Sequence, residues 1–233
     1  MTFQNADSIS LLLFVFLGLI NMSLVILAFK KSKASWSYYI GYFIFIFFAS
    51  VFALTGLLRS HIIPLLPLYM FSVAALAVFF SRFNFGKEAA KKFSFAVLVG
   101  FQIYRLPLEL ILHHWANMKV IPETLTWSGQ NWDIFTGILA LLLMPFVNRF
   151  KFIVWVFQII GSVLLLNVIR VIIFSLPLPI SWNLEVPLQL PFEFPYCLIV
   201  PLYVWPAITG HLIIYRKLLT KSDRAVTPIL ESP

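Results

Sequence analysis

Long apolar runs that carry little or no charge recur along the whole chain. Most of them match the about 20 residues that a helix needs to cross a hydrocarbon core about 30 Å thick. None shows sustained polar and apolar alternation in short blocks, so they predict helices rather than barrel strands. The predicted spans are 8–29, 36–57, 62–81, 93–114, 132–147, 152–175 and 195–215. The pattern therefore predicts an all-α, polytopic transmembrane bundle of about seven helices, the fifth being the shortest.

The composition supports a membrane protein. Hydrophobic residues make up 61% of the 233 residues and charged residues 11%, whereas soluble domains average roughly half and a quarter. We expect one transmembrane domain over 1–217, followed by a cytoplasmic tail over 218–233. The single cysteine, Cys197, excludes an internal disulfide and a cysteine-based zinc site.

The number of cations alternates from one loop to the next. The loops after the first, third, fifth and seventh runs hold 13 Lys and Arg residues, whereas the others hold only Arg59 and Lys119. By the positive-inside rule, this predicts an outside N-terminus and a cytoplasmic C-terminus, which an odd number of crossings satisfies. The same clustering assigns the net charge of +8 to the surface of the lipid bilayer and not to nucleic acid.

Ionisable residues interrupt the fourth run. Arg105, Glu109 and His113 are spaced four apart, so they share one face of a helix with Gln102. Charged groups at membrane depth usually mark function. Pro107 lies among them and predicts a local kink, because it cannot donate a backbone hydrogen bond.

A second polar pair lies in the sixth run, where Asn167 and Arg170 are three residues apart and share a face. Asp133 opens the fifth run from the same side. The predicted topology places all of these side chains in the outer half of the bundle, where they form one site. The predicted ligand-binding residues are Arg105, Glu109, His113, Asp133, Asn167 and Arg170.

Two interpretations of this cluster remain open. The arginines suit a carboxylate or phosphate ligand, because a guanidinium binds such groups with two hydrogen bonds. Alternatively, Arg105 with Glu109 and Arg170 with Asp133 are buried pairs that fix the register of the helices. No histidine-rich or zinc motif accompanies His113, so we predict neither a metal nor another cofactor.

The outer loops and the last run contain further features. Residues 115–131 and 176–194 are rich in Trp and Pro, which predicts either a re-entrant cap over the site or a passive interfacial belt. The last run contains Pro201, Pro206 and Gly210, residues that are typical of a broken or hinged helix.

Residues 101–217 contain RLPLELILHHW, NVIRV and FPYCLIVPLYVWPAITGH, and they resemble a group of uncharacterised bacterial integral membrane proteins. That resemblance implies a bacterial cytoplasmic membrane and no known activity. The polar start of the fifth run, the basic hairpin and Asn167-x-x-Arg170 are also similar to the exosortase and archaeosortase transpeptidases.

The second resemblance implies an outward-facing Cys/Arg/His site that cuts C-terminal sorting signals, with Arg170 matched by position. Those families carry a Cys-Ser-Gly motif where this chain has Asn131-Trp132-Asp133. The nucleophile of those families therefore has no counterpart by position, and His211 is expected near the inner end of the last run, away from an outward-facing site.

Three functions follow from these patterns. The leading expectation is transport or handling of an anionic or amphiphilic small molecule or lipid, and a membrane-embedded enzyme and a structural or assembly subunit are the alternatives. An enzyme requires Cys197 or His113 within reach of Arg170. A transporter requires a path to Arg105 and Glu109, whereas a structural subunit requires a sealed cluster.

Overall fold

The computed structural model describes residues 3–60 and 62–223. Within these ranges the chain forms helices, turns and loops but no strand, which confirms the all-α prediction. Six helical segments are long and apolar enough to cross a membrane. The α-helices are, in chain order, α1 (Ser8–Ser32), α2 (Trp36–Leu54), α3 (Leu57–Ser60), α4 (Ile62–Arg82), α5 (Asn84–Lys92), α6 (Phe95–Gly100), α7 (Arg105–Asn117), α8 (Ile134–Leu143), α9 (Lys151–Ser175) and α10 (Trp205–Asp223).

Contacts at the two ends of the bundle establish how the passes alternate. At one end Asp7, just before α1, lies 2.8 Å from Nε2 of His114 at the end of α7. At the other end the Lys217 ammonium, on α10, donates to the carbonyl of Ala90 on α5 (2.6 Å). The start of α1 and the end of α10 therefore lie on opposite sides, as the predicted topology requires.

The fifth pass is only half helical, which corrects the predicted continuous span 132–147. Helix α8 has ten residues and is about 15 Å long, half of a hydrocarbon core about 30 Å thick. The rest of the pass is segment 118–133, which folds back into the bundle and buries Ile121, Leu125 and Asn131. Non-helical backbone is tolerated at this depth where protein surrounds it. We name 118–133 the re-entrant segment.

The last pass forms the centre of the bundle, because 67% of its most apolar window is buried, compared with 22% for α1. It begins irregularly, with a π-helical turn at Val200–Val204. Pro206 lacks the N–H that would bond to the carbonyl of Leu202, and this carbonyl accepts from the Asn21 amide of α1 instead (3.0 Å). The predicted break in the helix is therefore stabilised by a neighbouring helix.

The inner end of the last pass extends further than predicted. Helix α10 continues to Asp223, so residues 218–223 of the predicted tail are helical. Residues 224–233 of that tail lie outside the described residues. His211 consequently lies well inside α10 and not near its inner end.

Candidate functional site

The site begins where Pro107 disturbs the fourth pass. Pro107 cannot donate to the carbonyl of Ile103, and the preceding turn tightens into a 3₁₀ helix at Phe101–Tyr104. Helix α7 then starts with Arg105. Arg105 is about 15 Å along the pass from Phe95, so it lies near the middle of the pass.

Arg105 forms a buried ion pair with Asp133, the residue before α8. Nη1 of Arg105 donates to Oδ1 of Asp133, and the two side chains are 2% and 9% exposed. The Thr136 hydroxyl donates to the same carboxylate oxygen (2.9 Å), and the Asp133 N–H donates to Asn131 Oδ1 (3.0 Å). Such additional hydrogen bonds are what make a buried pair tolerable. The pairing differs from both pairs that the sequence suggested.

Glu109 lies one helical turn further out on α7 and is also buried. Its Oε1 accepts from the Asn131 amide (3.0 Å), which also donates to the carbonyl of Leu125 (3.0 Å). Three atoms of these two charged side chains have no hydrogen-bond partner among the described residues: Oε2 of Glu109 and both Nε and Nη2 of Arg105. Unsatisfied buried polar atoms are uncommon and costly, so this cluster has donor and acceptor capacity that its own hydrogen bonds do not use.

Asn167 and Arg170 contact the re-entrant segment from a different side. The Asn167 amide donates to the carbonyl of Gln130 (2.6 Å), and Nη2 of Arg170 donates to Oε1 of the same residue (3.0 Å). The Arg170 guanidinium is exposed and lies 5.7 Å from the centre of the Trp182 ring. The structure thus places these two side chains on Gln130 and not on the ion pair of Arg105.

The histidines at the end of α7 lie near the surface. His113 stacks on Trp127 with the ring centres 4.1 Å apart, whereas His114 pairs with Asp7. Hydrogen bonds from the side chain and backbone of Ser10, together with His114, hold the pKa of Asp7 well below its usual range. No group of three His, Cys, Asp or Glu side chains in the described part of the chain is placed to hold a metal.

A cavity of about 160 Å³ between α4, α7, α9 and α10 includes this cluster in its lining. Its walls are almost entirely apolar, and Arg105 and Glu109 contribute to its polar end. In the described chain, α4 and α9 both pack against α10 but make few contacts with each other. The lining residues Ala74 of α4 and Ile169 of α9 are exposed and half-buried, respectively. The cavity therefore opens sideways, towards the lipid.

Buried polar side chains continue inward from the cluster. His211 of α10 lies with Nδ1 3.1 Å from Oε1 of Gln158 on α9, and its Nε2 has no partner among the described residues. Gly161 makes room here, because a Cβ at this position would lie 2.7 Å from His211 Cε1 and 3.4 Å from Thr136 Cγ2. His211 and the methyl group of Thr136 therefore both lie beside Gly161, so a buried histidine is close to the helix that carries Thr136.

The sequence did not single out Asn131, Thr136 or Gln130 as site residues. Asn131, Asp133 and Thr136 form a pattern that is typical of the start of a helix, which is the one signal that pointed to them. Cys197 is buried in the 3₁₀ turn at Tyr196–Leu198 and lies about 20 Å from His211 along the pass. The Cys/Arg/His chemistry implied by the transpeptidase resemblance stays a prediction.

Six long apolar helices, a seventh half-length helix and a cavity that opens between two passes define a polytopic α-helical membrane protein. Comparison with protein-family models, with curated proteins and with solved structures gives no match. The function of the cavity is therefore inferred from its geometry.

Proposed function

We propose that this protein binds an amphiphile that enters from the bilayer. Its polar group contacts Arg105 and Glu109, and its apolar part lies between α4 and α9. The observation that carries the proposal is an apolar cavity whose lining includes Arg105 and Glu109, side chains that hold three buried polar atoms without partners. Leaving such an atom unpaired costs about 1–3 kcal/mol, so a ligand that pairs with it recovers that free energy.

The size of the cavity limits what enters it. Its volume of about 160 Å³ is close to that of an engineered apolar cavity of about 150 Å³ that accepts benzene. It therefore accommodates a head group and the first few carbons of a chain. The remainder of the chain extends through the opening beside Ala74 and Ile169.

The charges at the polar end restrict the head group. Arg105, Asp133 and Glu109 in their usual forms carry one positive and two negative charges. An anionic head group adds a third negative charge in a site where unpaired charge is expensive. A carboxylic acid or phosphate monoester satisfies the site if it brings one proton, because it then accepts from Arg105 and shares that proton with Glu109.

The cellular setting follows from the distribution of cations. We infer a bacterial cytoplasmic membrane with the N-terminus outside, which is supported by the 13 cations that face the other side. Transport or transfer of the amphiphile is favoured over chemistry on it, because buried polar side chains, His211 and Gln158, also lie further inward along the bundle.

Photolabelling tests this proposal. Purified protein in lipid nanodiscs is labelled with a diazirine-bearing fatty acid, and with an alcohol and an amine of the same chain length, and the adducts are mapped by mass spectrometry. We expect the acid to label α4 and α9 beside the cavity. Ala74→Trp, which fills the opening, should abolish this labelling. Ala75→Trp, at the exposed neighbour that does not line the cavity, should leave it unchanged.

Two results would refute the proposal. One is acid labelling that is spread evenly over the lipid-facing helices and is equal in both tryptophan variants. The other is stronger cavity labelling by the amine than by the acid, since a cation does not need the free donors of Arg105.

A further inference from the structure

A second and larger cavity lies at the opposite end of the bundle. It has a volume of about 370 Å³ and is bounded by α1, α5, α6 and α10. Its lining extends from Trp205, near mid-depth, to Lys31 and Phe93 at the side where the basic loops lie. The rim residues Leu24 and Val97 are 42% and 50% exposed, so this cavity is a groove that faces the lipid.

The groove has the dimensions of one leaflet. The distance from Leu24 to Lys31 along α1 is about 10 Å, and Trp205 to Ile213 along α10 is about 12 Å. Half of a hydrocarbon core is about 15 Å. The groove is therefore long enough to contact an acyl chain over most of the thickness of one leaflet.

The floor of the groove is apolar and closed. Phe85 of α5 and Leu98 of α6 line it and are only 4% and 8% exposed. Helices α1 and α6 contact α5 and α10, respectively, but in the described chain they make few contacts with each other. An apolar chain that lies between α1 and α6 would replace the packing that these two helices lack.

Lys31 supplies a positive charge at the mouth of the groove. Its ammonium lies 5.2 Å from the centre of the Phe93 ring, and within the described chain it forms no ion pair. By contrast, Lys91 of α5 pairs with Glu88 (3.4 Å). Basic pockets between membrane helices on the cytoplasmic side bind anionic lipid head groups.

We propose that the groove between α1 and α6 binds one anionic phospholipid of the leaflet on the basic side, with an acyl chain in the groove and the phosphate on Lys31. The charge of Lys31 and the leaflet-long apolar lining favour this occupant over a protein segment. The site is separate from the cavity at Arg105 and does not depend on the function proposed for that cavity.

Native mass spectrometry of the full-length protein tests the assignment. The probes are phosphatidylglycerol and phosphatidylcholine with identical chains. We expect the wild type to retain one phosphatidylglycerol. Lys31→Gln should bind it about fivefold more weakly, because one cation near the membrane surface contributes about 1 kcal/mol to the binding of an anionic lipid. Lys30→Gln has the same net charge but does not line the groove, so it should bind as the wild type does.

The groove itself is tested with Ala28→Phe, which fills it from the half-buried rim of α1. This variant should lose the retained lipid and keep its unfolding temperature to within a few degrees. Equal losses in Lys31→Gln and Lys30→Gln would overturn the assignment, as would wild-type binding of phosphatidylcholine as strong as that of phosphatidylglycerol. A dimer that only Ala28→Phe disrupts would instead assign the groove to a second copy of this chain.

Discussion

Breaking the buried pair of Arg105 and Asp133 should strongly destabilise the protein. Asp133→Ala leaves Arg105, which is 2% exposed, without its carboxylate, and Arg105→Met leaves the Asp133 carboxylate with only the hydroxyl of Thr136. Removing one partner of a buried pair costs about 3–5 kcal/mol, whereas removing both is often close to neutral. The losses of unfolding free energy in the two single variants should therefore sum to roughly 6–10 kcal/mol. The double variant should lose no more unfolding free energy than one single variant does.

Thermal unfolding in mild detergent, followed by tryptophan fluorescence, measures this difference. At roughly 2–4 °C per kcal/mol for a chain of this size, each single variant should unfold about 6–20 °C below the wild type. Glu88→Gln removes the carboxylate from an exposed pair with Lys91 and serves as the control, with no measurable change expected. Single variants that each cost less than about 1 kcal/mol, or a double variant that equals their sum, would refute the reasoning.

Three further predictions concern helix packing and pH. Gly137→Ala places a Cβ 2.6 Å from the backbone N of Leu106, so it should lower the unfolding free energy by about 1–3 kcal/mol. Gly41→Ala, inside α2, meets only an ordinary contact at 3.7 Å and should raise the unfolding free energy by up to about 1 kcal/mol, because alanine favours a helix over glycine. The affinity for an acidic amphiphile should rise up to tenfold for each unit by which the pH falls, because one proton binds with it, and calorimetry of Glu109→Gln should show a flat profile. The lowered pKa of Asp7 stabilises the fold above an unfolded-state pKa of about 3.9. This stabilisation is lost progressively as the pH falls below that value. The unfolding temperature, measured between about pH 7 and pH 3, should therefore decrease less steeply with falling pH in Asp7→Asn than in the wild type. Equal slopes would contradict the assignment.

The all-α class and six of the seven predicted passes could be predicted from the sequence, because the bilayer fixes the length of a crossing. The fifth pass could not. Residues 132–147 are apolar enough for a full span, but their helix starts only at Ile134, after the re-entrant segment has already reached mid-depth. That depth is set by the contacts of Asn131 and Asp133 with α7, which no local pattern encodes.

The candidate site was also predictable from the sequence only in part. The spacing of Arg105 and Glu109 placed them on one face, and both line the same cavity. The counter-charge of Arg105 was not predictable from spacing, because Asp133 approaches from another helix. Asn167 and Arg170 share a face and a partner, Gln130, but α9 is apolar on its lipid side as well as its core side. The hydrophobic pattern therefore did not reveal which way this pair points. The binding role of all six predicted residues stays a prediction.

The half-length of α8 has a consequence for how the chain enters the membrane during synthesis. A carboxylate at the centre of an inserting helix is opposed by about 2.5–3.5 kcal/mol. Asp133 lies near mid-depth just before α8, which at ten residues is too short to offset this cost with apolar turns on both sides. The compensating guanidinium of Arg105 leaves the ribosome earlier, on α7. We therefore expect α7 and α8 to be released into the bilayer together as a hairpin, with α9 closing over Gln130 afterwards. In this half of the chain, the helices would then pack in the same order in which they leave the ribosome.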